Sequence, residues 1–278
     1  MDYYRGIAPW LLPYLADRPL VLDRYPDGIG GKSFFQKNAP HGTPEWLETV
    51  PIVDDDSGRE TDYFICRDAE ALVYLANLAA IPLHVWASRT VSLARPDWTI
   101  LDLDPKGASF LDVVAIALAL RRLFDDLEIE GFVKTSGASG IHVLLPLGAA
   151  YSFDVAKNLA LLIATVIVAE HPEIATVERS IPARGGRVYI DALQNGAGKL
   201  LVSPFSARPV AAASVSMPLR WSEVDRKLDP AMFHLRNAAR RMDELGADPF
   251  AGVIGGAGEA IDVAAVLDSL AERLERGG

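Results

Sequence analysis

Cysteine occurs once in this 278-residue sequence, at Cys66. A single thiol excludes an internal disulfide and a multi-cysteine zinc site, and it fits a reducing cytosol. Long apolar runs are missing too. The longest, Leu159 to Ala169 with Thr165 inside it, is shorter than the roughly 20 residues that span a bilayer, and reads as a buried helix. The N-terminus, M-D-Y-Y-R-G-I-A-P-W, lacks a basic stretch followed by an apolar one, so no secretory signal is expected. Repeats and low-complexity tracts are absent. A soluble, cytosolic protein is the expectation.

Basic residues are in deficit: 27 Lys and Arg stand against 37 Asp and Glu, for a net charge of −10 and a pI near 5.0. Taken alone, that balance argues against a polyanionic partner, because nucleic-acid binders carry a basic footprint. Binding depends on the local field, however, and the charges are unevenly placed. Lys32, Lys37, Lys134, Arg179, Arg184, Arg187, Lys199 and Arg208 lie near the polar motifs described below, whereas many acids lie in D-D-D at 54–56 and near the C-terminus.

Half of the residues are hydrophobic and the mean hydropathy is +0.16, enough for a sizeable core in one large domain or two small ones. Helices are predicted over Tyr3–Leu15, Asp68–Ala80 with Asp68 as cap, Phe110–Leu127 and from Ser152 to about Glu170, with two more after Leu228. Strands are predicted on both sides of the Gly-rich turn in R-P-L-V-L-D-R-Y-P-D-G-I-G-G-K-S-F-F-Q-K. Further strands are expected over Thr61–Ile65, Leu83–Trp86, Trp98–Leu103, Gly131–Thr135, Ile141–Pro146, Arg187–Asp191 and Leu200–Pro204. Strands dominate the middle and helices intervene irregularly, which is α+β (mixed α/β) and not a repeating barrel.

The segment W-T-I-L-D-L-D-P carries two aspartates in a run with the look of a buried strand. Side chains alternate along a strand, so Asp102 and Asp104 share one face while Leu101 and Leu103 take the other. Two such carboxylates repel unless a cation lies between them. Oxygen-only ligands favour Mg²⁺ or Mn²⁺ over zinc. In the other reading, one Asp caps the next turn and its neighbour pairs with an Arg. Arg187-Val-Tyr-Ile-Asp191 ends in the same way, either as a third ligand for a two-metal phosphoryl-transfer site or as the start of a turn.

In F-V-K-T-S-G-A-S-G-I-H-V-L-L-P the loop carries no G-K-[ST] and precedes a strand, so it is not a P-loop. Its small residues let backbone N–H groups converge on an anion, with Ser136, Ser139 and His142 as added donors; the alternative is a plain Gly-rich hairpin. Arg179 and Arg184 precede Asp191, and Gln194, Lys199 and Arg208 follow it. Arginine forks suit phosphate oxygens. Phe34-Phe35-Gln36-Lys37 either stacks bases and holds a phosphate or is one core and one edge Phe beside a snorkelling Lys.

The set R-Y-P-D-G-I-G-G-K-S-F-F-Q-K-N-A-P, L-H-V-W-A-S-R, L-D-L-D-P, K-T-S-G-A-S-G-I-H, R-V-Y-I-D-A-L-Q-N, S-P-F-S-A-R and M-P-L-R-W resembles, in this order, the polymerase domain of bacterial DNA ligase D. That family is a branch of the archaeo-eukaryotic primase superfamily. The resemblance runs from Tyr3 to about Phe250. It implies a primase-type core, a central mixed or antiparallel sheet flanked by helices, in one domain over 1–278: an N-terminal αβ part to about 95, a catalytic core over about 96–222, and C-terminal helices from about 223.

It also implies a template-directed nucleotidyltransferase that extends a primer 3′-OH and fills short gaps or ends in DNA repair, in the bacterial cytosol or nucleoid. Two Mn²⁺ or Mg²⁺ ions are implied as cofactors, with NTPs or dNTPs as substrates. Asp102, Asp104 and Asp191 match the metal triad. Ser136, Gly140 and His142 match the triphosphate pattern, with His84, Ser139, Arg184, Gln194, Lys199 and Arg208 around the nucleotide. Arg24, Phe34, Phe35 and Lys37 match the DNA-facing patch. Gapped duplex or DNA ends are the implied partners, with a ligase and an end-binding protein as separate chains.

The sequence departs from the family pattern in three respects. Ser139 stands where a Lys is usual, and Asp23 where a basic residue is common. Family domains also begin earlier, with Asn and Lys residues that hold a 5′-phosphate, whereas this chain begins inside the helix that follows. The stretch from Gly252 has no assigned role, and its last helix is expected to dock on the core.

Overall fold

The computed structural model describes residues 1–53, 57–255 and 260–277; D-D-D at 54–56 lies outside them. In chain order the elements are α1 (Asp2–Leu15), β1 (Leu20–Arg24), β2 (Phe34–Gln36), β3 (Thr49–Val53), β4 (Glu60–Phe64), α2 (Ala69–Asn77) and β5 (Ala80–Val85). Then come β6 (Trp98–Asp104), α3 (Phe110–Asp126), β7 (Phe132–Thr135), β8 (Ile141–Pro146), α4 (Phe153–Glu170), β9 (Ala175–Thr176) and β10 (Val188–Asp191). The chain continues through β11 (Leu201–Val202), β12 (Pro218–Leu219), α5 (Ala238–Leu245) and α6 (Val263–Gly277). The class is α+β, as expected.

The strands form two sheets. One runs β11-β5-β1-β4-β3, with β2 also paired to β1; the other runs β12-β7-β8-β6-β10-β9. The second is the expected mixed sheet, antiparallel except for β10 against β9. The first sheet is built from the N-terminal part, but β11, which follows β10 in the chain, crosses into it and pairs with β5. One apolar core runs through both parts, while Val21, Ile52 and Tyr63 form a smaller cluster.

Helix starts follow the sequence closely. Asp68 accepts the Ala71 N–H at 2.8 Å, Ser109 the Leu111 N–H at 3.1 Å and Ser152 the Val155 N–H at 3.4 Å. Each satisfies a backbone donor that the first turn leaves free. Two predictions need correction. Helix α2 ends at Asn77, not Ala80, and Ala80 already belongs to β5. Ala79 turns the chain with φ +60°, and Pro82 falls where the β1–β5 register shifts, a place where a missing N–H costs nothing. Strand β3 was not predicted because it contains Pro51; at the edge of its sheet that proline is tolerated.

Helices α3 and α4 pack against β6, burying Leu101 and Leu103 on the face away from the aspartates. Helix α4 is apolar nearly all round because α6 covers its other side. Val263, Val266 and Leu270 of α6 are buried, and Arg273 bridges Glu170 and Asp126 at 2.6 and 2.8 Å. The last helix thus docks on the core, as expected. Among the described residues, no helix is long and apolar enough to cross a membrane.

Candidate functional site

Strand pairing aligns four polar residues across the second sheet. Lys134 is opposite His142, His142 opposite Asp102, and Asp102 opposite Asp191. Residues directly opposite one another point to the same face. Asp104 follows two positions after Asp102 on β6, so it joins the same face. The three aspartates that sequence spacing singled out are therefore neighbours on one sheet surface.

Each carboxylate has protein partners. Asp104 receives Arg184 Nη1 at 2.9 Å and the Lys106 N–H at 3.2 Å. Asp102 Oδ1 lies 3.4 Å from His142 Nε2. Asp191 accepts the Leu193 N–H at 2.8 Å, the Tyr189 hydroxyl at 3.2 Å and Gln194 Nε2 at 3.3 Å. Arg184 also lies over the Tyr189 ring, 4.3 Å from its centroid. The alternative sequence reading divided turn-capping and arginine-pairing between the two aspartates; here Asp104 does both, while Asp102 neighbours His142. Among the described residues, no three His, Cys, Asp or Glu side chains stand close enough to hold a metal ion as they are.

The donor chemistry nevertheless fits a divalent cation. Burial, and then repulsion from Asp191 and Asp104, push the Asp102 carboxyl up to about 7. An added dication would relieve that repulsion, and three carboxylates are the hard oxygen donors that Mg²⁺ or Mn²⁺ takes.

The S-G-A-S-G loop lies at the end of β6. A side chain at Gly140 would strike the Leu103 carbonyl, with a Cβ 2.3 Å from that oxygen. Gly137 has φ +71°, and a Cβ there would come within 2.6 Å of Arg208 Cγ. Both glycines are thus needed for the loop to fit between β6 and Arg208. Ser136 ties the loop internally, its hydroxyl accepting the Gly140 and Ala138 N–H groups at 3.0 and 3.2 Å. Ser139 is exposed at the tip.

Neutral imidazoles and a half-buried arginine complete this surface. Burial, with Arg208 and Lys134 nearby, lowers His84 to about 3, and the same causes hold His142 well below the usual histidine range. Arg208 is also lowered by burial. His84 Nδ1, Arg208 Nε and Asp23 Oδ1 are buried without a hydrogen-bond partner, the pattern expected where a polar ligand or water belongs.

On the first sheet, β2 presents Phe34 and Phe35, 47% and 59% exposed, beside the exposed Lys37. Phe35 meets the His84 ring edge-on at 5.6 Å, which connects this patch to the imidazoles. Arg24 is held by the Leu78 carbonyl at 2.6 Å and Gln36 at 2.8 Å, with Phe34 beneath its guanidinium. Lys199 is exposed. Two participants were not singled out as site residues. Lys134 is fully buried beside His142, and Tyr189 donates to Asp191. A lysine inside an otherwise apolar strand was the available signal for the first.

Comparison with known proteins gives a consistent result. The family model described as LigD, primase-polymerase domain, matches residues 1–250. The bifunctional non-homologous end joining protein LigD of Bacillus subtilis is 34% identical over 248 residues, covering 88% of this chain and 39% of that protein. The multifunctional counterpart of Mycolicibacterium smegmatis is 32% identical over 250 residues, covering 88% and 32%. The chain thus spans less than two-fifths of these relatives. Among solved structures, the polymerase domain of Mycobacterium tuberculosis ligase D in complex with DNA superposes with a TM-score of 0.82 at 29% identity, covering 88% of each chain. By sequence match over most of its length and by fold, the chain belongs to the LigD primase-polymerase domain family.

Proposed function

We propose that this protein is a template-directed nucleotidyltransferase that extends a primer 3′-OH and fills short gaps or ends during DNA repair. The observation that carries the reading is the sheet face on which Asp102, Asp104 and Asp191 adjoin a glycine loop, the half-buried Arg208 and two neutral imidazoles. Divalent ions held by the three aspartates would supply Lewis-acid activation of the 3′-oxygen and charge neutralisation on the triphosphate. The protein's own groups do the rest. Loop N–H groups and Arg208 orient the phosphates, and Arg184, shared between Asp104 and the Glu178 and Arg179 carbonyls, offers a fork to a phosphate oxygen. Neutral His84 and His142 donate hydrogen bonds without adding charge. Phe34 and Phe35 give bases a stacking surface, with Lys37 on the backbone.

The test is primer extension on a one-nucleotide gapped duplex with Mn²⁺, comparing rNTP with dNTP and a 5′-phosphate with a 5′-hydroxyl. Templated addition is the expected result, and a phosphate effect would assign the protein to gap or end repair. Phosphate release without extension would instead identify a phosphohydrolase. Chain initiation without a primer would identify a primase.

Ser139 gives a second prediction. It lies at the exposed tip of the loop, where a cation could reach the phosphates without being buried. Ser139→Lys is expected to lower the nucleotide KM by about three- to tenfold, corresponding to ~1 kcal/mol for a solvated charge pair. An unchanged KM in steady-state extension would mean that this loop does not face the triphosphate.

A further inference from the structure

Asn195 closes the D-A-L-Q-N motif, and its side chain is buried against β6. Its Nδ2 donates to the Ile100 and Ala192 carbonyls at 2.7 and 2.8 Å, and its Oδ1 accepts the Ile100 N–H at 2.8 Å. Partner chemistry fixes this orientation of the amide, because the two carbonyls only accept and the backbone N–H only donates. A side-chain amide carries the same kinds of donor and acceptor as a peptide group. The β6–β10 register, Tyr189 with Asp104 and Asp191 with Asp102, continues to Leu193 opposite Ile100. The Asn195 amide takes that place in the ladder instead. The displaced Leu193 N–H turns to the Asp191 carboxylate and donates to Oδ1 at 2.8 Å. Gln194, next in the same turn, reaches Oδ2 at 3.3 Å. Thr99 shares the helix-facing side of β6 with Leu101, and its hydroxyl lies 3.0 Å from Asn195 Oδ1 and 2.8 Å from the Ala156 carbonyl of α4. Asn195 thus approaches β6 from the side away from the aspartates and acts on them through the backbone.

We propose that Asn195 is a positioning residue. Its amide replaces the Leu193 peptide in the ladder, ends β10 at Asp191 and frees a backbone N–H to orient that carboxylate for a divalent cation shared with Asp102. The cation rests on the polymerase reading above. Groups that hold a ligand from behind in this way set metal affinity nearly as strongly as the ligands themselves. An ionised aspartate could not substitute, since it offers no proton to the Ile100 and Ala192 carbonyls.

The experiment is Mn²⁺ binding to the protein alone, read from the loss of the free-ion electron paramagnetic resonance signal. Asp191→Asn marks the uptake that uses this carboxylate. Asn195→Leu, similar in size but without the amide, should weaken that uptake by roughly 10- to 100-fold. Primer extension by this variant should recover as Mn²⁺ is raised, which a general loss of packing would not allow. Thr99→Val removes a neighbouring hydroxyl but leaves the amide in the ladder, and should bind Mn²⁺ as the wild type does. Equal weakening in Thr99→Val would overturn the inference, because the effect would then be one of packing. Should Asn195→Leu fail to fold, Leu193→Pro decides. Leu193 is the second residue of the turn closed by the Asn195 N–H on the Ala192 carbonyl at 3.4 Å, a position that suits proline. That change removes the N–H that orients Asp191. Unchanged uptake in folded Asn195→Leu or in Leu193→Pro, with weakened uptake in Asp191→Asn, overturns this inference alone. Uptake that Asp191→Asn does not weaken would overturn the metal site as well. Weakened uptake in a protein that never extends a primer would sink the polymerase reading alone.

Discussion

Replacing Asp104 with alanine is expected to abolish nucleotide addition, by on the order of 10³-fold or more, while DNA binding stays nearly intact. The magnitude is that of removing one group that stabilises charge developing in a water-poor site. The selectivity follows from where Asp104 sits. It is the last residue of β6, and the neighbouring Leu103, fully buried against the helices, anchors the strand without it. Arg184 would lose one partner but keep the Glu178 and Arg179 carbonyls and the Tyr189 ring, so its segment need not collapse. The residues proposed to face DNA are at the end of β1 and on or just after β2, in the other sheet. Primer extension and a gel shift on the same gapped duplex test both halves. Activity that survives the substitution would remove the three aspartates as the metal site.

Most of this surface was legible in the sequence because strands impose a strict alternation. L-D-L-D places both carboxylates on one face whatever the tertiary structure, and the apolar residues between them fix which face is buried. Similar logic found the caps Asp68 and Ser152. What could not be read was the partner strand for each element. Nothing local says that Asp191 pairs opposite Asp102, or that β11 joins the first sheet, since those choices are made by packing over about a hundred residues. The same limit hid Lys134, whose meaning depends on His142, Ser216 and Val202 meeting it from three separate strands or loops. Elements interrupted by proline were the other blind spot. Pro51 and Pro218 sit in edge strands, where a lost donor is harmless, but sequence alone does not tell an edge from a centre.

A second large effect is expected far from the aspartates. Asp97 immediately precedes β6, about 23 Å of extended chain from Asp104. It receives Arg18 Nη2 and, at 2.7 Å, Arg89 Nε. Arg18 is fully buried over the Trp98 ring, also donating to the Trp86 and Ala87 carbonyls at 3.3 and 2.8 Å. Burial lowers Arg18 only to about 10, so it stays charged at neutral pH and needs its counter-ion. Asp97→Asn keeps the shape but leaves two guanidinium groups facing a neutral amide. Breaking a buried ion pair from one side costs roughly 3–5 kcal/mol, and that is the expected loss in urea unfolding, read as a lower midpoint at an unchanged slope. Arg89→Ala should cost less, because Arg89 is partly exposed and Asp97 would still neutralise Arg18. A loss below about 1 kcal/mol for Asp97→Asn would mean that solvent reaches this cluster. Because this network holds the start of β6 and the turn after β8, through Leu147 and Gly148 N–H groups on the Asp97 carbonyl, its failure should release the whole second sheet. Activity in Asp97→Asn should therefore persist in the cold and vanish with the unfolding transition, whereas Asp104→Ala should be inactive at every temperature while still folded.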